Sequence, residues 1–342
     1  MGITYLRSIP SAETIRSEVP LTEDLIRARQ AQDEEIAAVF KGHSPKKIII
    51  IGPCSADNEE SVMEYVHRLG RVYQQVREKL VIVPRIYTNK PRTTGEGYKG
   101  MLHQPDPTNA PDMLKGIYSI RRLHIRVLKE AGMTTADEML YPENYSYLED
   151  LIGYHAVGAR SVENQKHRMT ASGIDKPVGM KNPTSGDLKV MLNSIKAAQL
   201  PHSFIYNGFE VQTNGNPLAH AILRGAANQY GRNIPNYHYE DLIFLAKKYR
   251  EAELLNPAVI IDCNHANSMK TWFEQPRIAR EIMLNVRQSE EIGVLVKGLM
   301  IESYLVSGTQ PVDGKTFGQS ITDPCLDWDS TEKLLYEIAE SL

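Results

Sequence analysis

At 342 residues, 42% of them hydrophobic and 24% charged, the chain is too long for a minimal module and has the balance of an ordinary globular protein. Its 39 basic residues against 42 acidic ones give a formal charge of −3, which argues against a general binder of nucleic acid or other polyanions. Three cysteines exclude a disulfide scaffold, the start lacks a signal-peptide core and no apolar run nears the roughly 20 residues of a membrane helix, so a cytoplasmic protein is expected.

Residues 1–45 read as a polar arm, broken by Pro10, Pro20 and Pro45. One helix is expected there, from the stripe Leu25, Ile26, Ile36, Ala37 and Phe40, packing on a neighbouring subunit. From residue 46 to the end, short β-branched runs alternate with segments of helical period. The runs are Ile48–Ile51, Val81–Tyr87, Thr134–Glu138, His155–Arg160, Pro177–Lys181, His220–Arg224, Ala258–Cys263 and Val296–Glu302. Helices are expected over Glu59–Lys79, over Met113–Ala131 with a stop at Gly132, and over Arg277–Arg287. A last helix, Thr331–Ser341, follows the capping signature Asp329-Ser330-Thr331-Glu332. Phe204 to Asn216 reads as an inserted β-hairpin, within 203–217. Eight β runs alternating with helices point to an α/β fold, a (β/α)₈ TIM barrel with an N-terminal helical extension. The competing doubly wound sheet is weakened because neither a dinucleotide fingerprint nor a phosphate-loop motif is present.

In a barrel the strand ends meet at one face, and here those ends carry two kinds of chemistry. Cys54, His265 and Glu302, with Asp323 from a later loop, offer sulfur, imidazole and carboxylate to a divalent transition metal. Arg85, Lys90, Arg92, Arg160, Lys181 and Arg224 would repel one another unless anions filled the site, and phosphate or carboxylate groups suit them. Singly, each residue has a blander reading: a packed cysteine, a hydrogen-bonded loop histidine, a turn aspartate, a solvated cation. Their shared location carries the case.

These residues lie in strings that resemble 3-deoxy-D-arabino-heptulosonate 7-phosphate (DAHP) synthase in its type I alpha form. The strings are Gly52-Pro53-Cys54-Ser55, Lys90-Pro91-Arg92-Thr93-Thr94, Gly158-Ala159-Arg160, Lys181-Asn182, Leu223-Arg224-Gly225, His265-Ala266-Asn267-Ser268 and Ser320-Ile321-Thr322-Asp323. The resemblance implies a metal-dependent condensation of phosphoenolpyruvate with erythrose 4-phosphate, releasing phosphate, in the first step of the shikimate pathway. It implies a homodimer or homotetramer, and one divalent ion (iron, manganese, cobalt or zinc) held by Cys54, His265, Glu302 and Asp323. Arg85, Lys90, Glu138, Ala159, Arg160, Lys181 and Arg224 would hold phosphoenolpyruvate. Lys90, Pro91, Arg92, Thr93 and Asp323 would hold the sugar phosphate. Lys90, His265 and Cys54 are the expected catalytic residues, with Lys90 either stabilising charge or transferring a proton. The sister octulosonate synthase has Lys-Ala-Asn-Arg-Ser-Ser where this chain has Lys-Pro-Arg-Thr-Thr, which favours the four-carbon acceptor. A non-catalytic barrel would have lost a ligand or a cation, and none is missing.

Members of this type also imply an aromatic amino-acid inhibitor, bound where hairpin, arm and neighbouring subunit meet. Thr170, Asp175 and Tyr206 stand where small or apolar residues are usual, so weak or altered inhibition is expected. Cys325, two residues past Asp323, is expected near Cys54, where the two thiols would oxidise to a disulfide without metal. Cys263 is expected to be a packed core residue.

Overall fold

A computed structural model describes residues 2–342. Eight parallel strands alternate with helices: Lys47–Gly52, Leu80–Pro84, Thr135–Glu138, Ile152–Val157, Val178–Lys181, Ala219–Leu223, Val259–Asp262 and Val296–Glu302. Numbered first to eighth in chain order, they lie side by side as second, first, eighth, seventh, sixth, fifth, fourth, third. A parallel bridge between Arg85 and Ala136, with Ile86 N–H donating to Ala136 O at 2.9 Å, joins the two ends. The ring is a (β/α)₈ barrel. Its strands are buried along their whole length because helices cover one face and the lumen the other.

Side-chain alternation builds two cores. On the first strand Ile49 and Ile51 face outward, into the shell of core that also holds helix residues such as Val66, Leu123 and Ile195. Ile48 and Ile50 face inward, joining Val81, Val83, Ile222 and Ile260 in the lumen. The helix Glu59–Val76 buries Val62, Val66, Leu69, Tyr73 and Val76, and begins where Asn58 Oδ1 accepts from Ser61 N–H at 3.0 Å. The helix Met113–Ala131 stops at Gly132, whose φ of 64° is the left-handed geometry that ends helices and favours glycine.

The arm departs from expectation. It holds two helices, Ala12–Glu18 and Glu23–Phe40, capped by Ser11 and Thr22. The second packs on its own barrel, sending Ile36, Val39 and Phe40 into the lumen cluster. There the Phe40 ring lies 4.2 Å from that of His220, whose Nε2 is 2.8 Å from the Tyr154 hydroxyl. This helix closes the amino-terminal end of the barrel, opposite the strand ends that carry the polar residues.

Three boundaries also shift. The fourth strand starts at Ile152, and by Gly158-Ala159-Arg160 the chain has left the sheet. The helix expected over Glu59–Lys79 ends at Val76. The last helix is Trp328–Glu340, because Asp327 rather than Asp329 caps it, accepting from Ser330 N–H at 2.8 Å. The inserted hairpin pairs Ser203–Tyr206 with Phe209–Gln212. It turns at Asn207 and Gly208, both with positive φ (48° and 85°), the pattern of a tight two-residue hairpin. Two short ribbons were not legible, Ala226–Ala227 with Asn233–Ile234, and Val306–Thr309 with Gln319–Ser320. Among the described residues no helix is long and apolar enough to cross a membrane.

Candidate active site

The carboxyl ends of the strands open on one cavity of about 300 Å³. Every residue singled out at those ends lines it: Cys54, Arg85, Lys90, Pro91, Arg92, Thr93, Glu138, Ala159, Arg160, Lys181, Arg224, His265, Glu302 and Asp323. They come from all eight strand ends, so the barrel, and not sequence proximity, gathers them.

One corner is built for a cation. Cys54 Sγ and a carboxylate oxygen each from Glu302 and Asp323 lie within 4.8 Å of one another. His265 stands beside this trio, its Nε2 4.0 Å from Glu302 Oε1. It adopts a left-handed φ of 50°, uncommon away from glycine. Its Nδ1 faces Asp262 Oδ2 at 2.8 Å, as second partners of ligating histidines do. The corner already holds a positive charge, since Lys90 Nζ donates to Cys54 Sγ and to Asp323 Oδ2, both at 2.7 Å. Sulfur, imidazole and two carboxylates around a cation fit a divalent transition metal.

The cations of the second group are only partly bare, which corrects the expectation that external anions alone relieve their repulsion. Arg85 Nη1 donates to Glu302 Oε1 at 2.6 Å, Lys181 Nζ to Glu138 Oε2 at 3.2 Å, and Lys90 pairs with Asp323. Arg85 and Lys181 also share the Tyr87 ring, at 4.0 and 5.5 Å from its centroid. Arg92 Nε donates to Tyr98 O at 2.8 Å. Arg92, Arg160 and Arg224 have no carboxylate partner among the described residues, which leaves these cations of the group for a ligand.

Electrostatics follow from this pairing. Burial favours a neutral Glu302, but Arg85 and His265 outweigh it and hold the carboxyl down to about 2. For Asp323 burial again works against ionisation, and Lys90 keeps it below the usual carboxylate range. Burial also opposes charge on Lys90, yet the Cys54 sulfur and Asp323 hold it well above the usual lysine range. Burial and the nearby Glu302 push the Cys54 thiol up to about 11.

Several site residues were missed. Tyr87 sits in the second run, and Asn264, whose Nδ2 donates to Glu302 Oε2 at 2.6 Å, precedes His265. Asp137 accepts from the N–H of Thr88 at 2.9 Å and of Glu138 at 2.7 Å, fixing the start of the Lys90 loop. Its place beside Glu138 was the available signal. Lys270 also lines the cavity.

Away from the cavity, Tyr206 OH donates to Pro142 O and Asn207 Nδ2 to Ser146 Oγ, both at 3.0 Å. Thr170 is buried, whereas Asp175 is exposed and pairs with Lys176 at 3.2 Å. Cys54, Cys263 and Cys325 are all buried and unpaired with one another.

The family model described as the DAHP synthetase I family matches residues 23–336. The Tyr-sensitive phospho-2-dehydro-3-deoxyheptonate aldolase of Escherichia coli is 34% identical, over 99% of this chain and 95% of its own length. The Alternaria alternata aldolase AMT16 is 38% identical, over 95% of this chain and 87% of its own. A solved structure of the Francisella tularensis phospho-2-dehydro-3-deoxyheptonate aldolase superposes with a TM-score of 0.93 at 33% identity, covering 99% of this chain and 98% of that one.

Proposed function

The chain belongs to the DAHP synthetase I family and carries its 3-deoxy-7-phosphoheptulonate synthase activity, and from that premise we propose how the cavity divides the work. Arg160 and Arg224, with Arg85 and Lys181 behind them, take the phosphate and carboxylate of phosphoenolpyruvate. Arg92 and Thr93 take the phosphate of erythrose 4-phosphate, and Lys90 lies between the two. The observation that carries this reading is the single cavity in which paired cations, free arginines and the Cys54 corner all meet.

Cys54, His265, Glu302 and Asp323 would hold the divalent ion, which supplies Lewis acidity at the acceptor carbonyl. The chain's own residues do the rest. The paired cations orient the donor so that its C3 forms a bond to the aldehyde carbon. The aldehyde oxygen then gains a proton, and the Lys90 ammonium, hydrogen-bonded to Cys54 and Asp323 at the edge of the cavity, is placed to give it. Positive character left at C2 is captured by water. Loss of inorganic phosphate from the same carbon yields the ketone, so one water is consumed for each phosphate released.

The test is consumption of phosphoenolpyruvate by metal-stripped protein, with and without Mn²⁺, offering erythrose 4-phosphate and arabinose 5-phosphate separately. Metal-dependent turnover with the four-carbon sugar alone is expected. Preference for arabinose 5-phosphate would assign the acceptor loop wrongly, and no turnover with either would favour the non-catalytic barrel.

Regulation follows from a second observation. Relatives are named Tyr-sensitive and Trp-sensitive. In this chain hairpin and arm both hydrogen-bond to the segment 142–147: Tyr206 to Pro142 O, Asn207 to Ser146 Oγ, and Tyr147 OH to Pro10 O at 3.2 Å. We infer weak or altered inhibition by aromatic amino acids, and micromolar inhibition by Phe, Tyr or Trp would overturn it. Ile205 and Phe209, 75% and 73% exposed on the hairpin, support a homodimer or homotetramer, which light scattering would test.

A further inference from the structure

Arg224 presents a problem of placement. Its guanidinium makes no hydrogen bond or ion pair among the described residues, so what aims it is the turn that carries it and the packing of its stem. The backbone of that turn is tied down completely. Arg224 N–H donates to Asn182 Oδ1 at 2.9 Å, and Arg224 O accepts from Ala266 N–H at 3.1 Å. Gly225 N–H donates to Asn236 Oδ1 at 2.8 Å, and Gly225 O accepts from Asn182 Nδ2 at 2.9 Å. The three relevant amides are themselves linked. Asn236 Nδ2 donates to Asn182 Oδ1 at 3.2 Å, and Asn267 Oδ1 accepts from Asn236 N–H at 2.9 Å. Asn267 Nδ2 in turn donates to Leu223 O at 3.2 Å and to Asp262 O at 2.8 Å.

The turn leaves no slack. Gly225 has a φ of 74°, and a Cβ there would lie 2.7 Å from Ala266 C and from Asn267 N. Asn182 and Asn267 are buried, where an unpaired amide would be costly, so each is held by the bonds above. Asn182 follows Lys181, Asn236 follows a short ribbon, and Asn267 lies two residues beyond His265. One network thus grips the Arg224 turn from the fifth, sixth and seventh strand ends.

We propose that Asn182, Asn236 and Asn267 are positioning residues that aim Arg224 at the anionic groups of phosphoenolpyruvate, a role that rests on the assignment of Arg224 proposed above. A free guanidinium recognises phosphate well only when it is pre-organised.

Asn236 is half-buried and therefore the safest to change. In Asn236→Ala the KM for phosphoenolpyruvate should rise about tenfold, while kcat and the KM for erythrose 4-phosphate move less than about twofold. Combined with Arg224→Ala, Asn236→Ala should add no further rise, because it acts through that arginine. An unchanged KM, an equal rise for both substrates, or additive losses in the double variant would each overturn the proposal. Arg224→Ala alone separates the two readings. If it leaves the KM for phosphoenolpyruvate unmoved, the site assignment fails; if it raises that KM while Asn236→Ala does not, only the network's role fails.

Discussion

The Lys90 ammonium lies 2.7 Å from the Cys54 sulfur and equally close to an Asp323 oxygen. Lys90→Met should therefore lower kcat by about 10²–10⁴, the range of a lost general acid, with little change in Tm. Steady-state kinetics and a thermal melt check this, and a kcat within tenfold of the parent's would remove Lys90 from the reaction.

Tyr87 supports Arg85 and Lys181 on one ring. Tyr87→Leu keeps the bulk and loses the π face. Cation–π contacts of roughly 0.5–2 kcal/mol translate into a KM for phosphoenolpyruvate raised by roughly 2- to 30-fold. A variant with unaltered KM would mean that the carboxylates alone hold these cations.

Cys325 Sγ donates to Asp323 O at 3.6 Å, and the Asp323 carboxylate stands beside the Cys54 sulfur. After chelation and exposure to air, the parent protein should lose two titratable thiols and its activity. Cys325→Ser should keep Cys54 free and recover turnover when Mn²⁺ is restored. Three thiols surviving in the parent would reject the disulfide.

Stability should respond to acid through groups that do not line the cavity. Burial pushes His155 and His220 from 6.5 to about 3. Their contribution is whole above about pH 6.5 and is lost as the pH falls toward 3, because the unfolded chain takes up protons that the folded one refuses. Burial also pushes Asp33 and Asp57 from 3.8 up to about 6, which works in the opposite direction. Their contribution is present below 3.8 and fades as the pH rises through 6. Asp57→Asn removes one opposing slope and keeps an acceptor for Tyr304 OH. Urea melts between about pH 6 and pH 4.5 should show the variant losing stability more steeply on acidification than the parent. Equal slopes would refute it.

The strands were legible because Ile48–Ile51 and their like cannot be anything but buried, and the site because each strand ended in residues a core has no use for. Less visible was what depends on competition between neighbours. Asp327 and Asp329 are equally good caps on paper, and packing of Trp328 chooses between them. Asn182 and Asn267 were seen inside family-like strings, but Asn236 belongs to no string and acquires meaning only from its contact with Gly225. The arm's second helix looked like a surface for a partner because a sequence does not say which apolar stripe faces which end of a barrel.

That helix also shapes traffic. With Phe40 packed in the lumen cluster, the barrel is filled at its amino-terminal end, and the cavity lies at the carboxyl ends of the strands. Arg85 and Lys181 lie at its depth, and Arg92 and Thr93 nearer the rim. On the proposed assignment the molecules must queue: the donor goes in first, the sugar settles over it, and the phosphate shed from the bottom waits until the product above has gone.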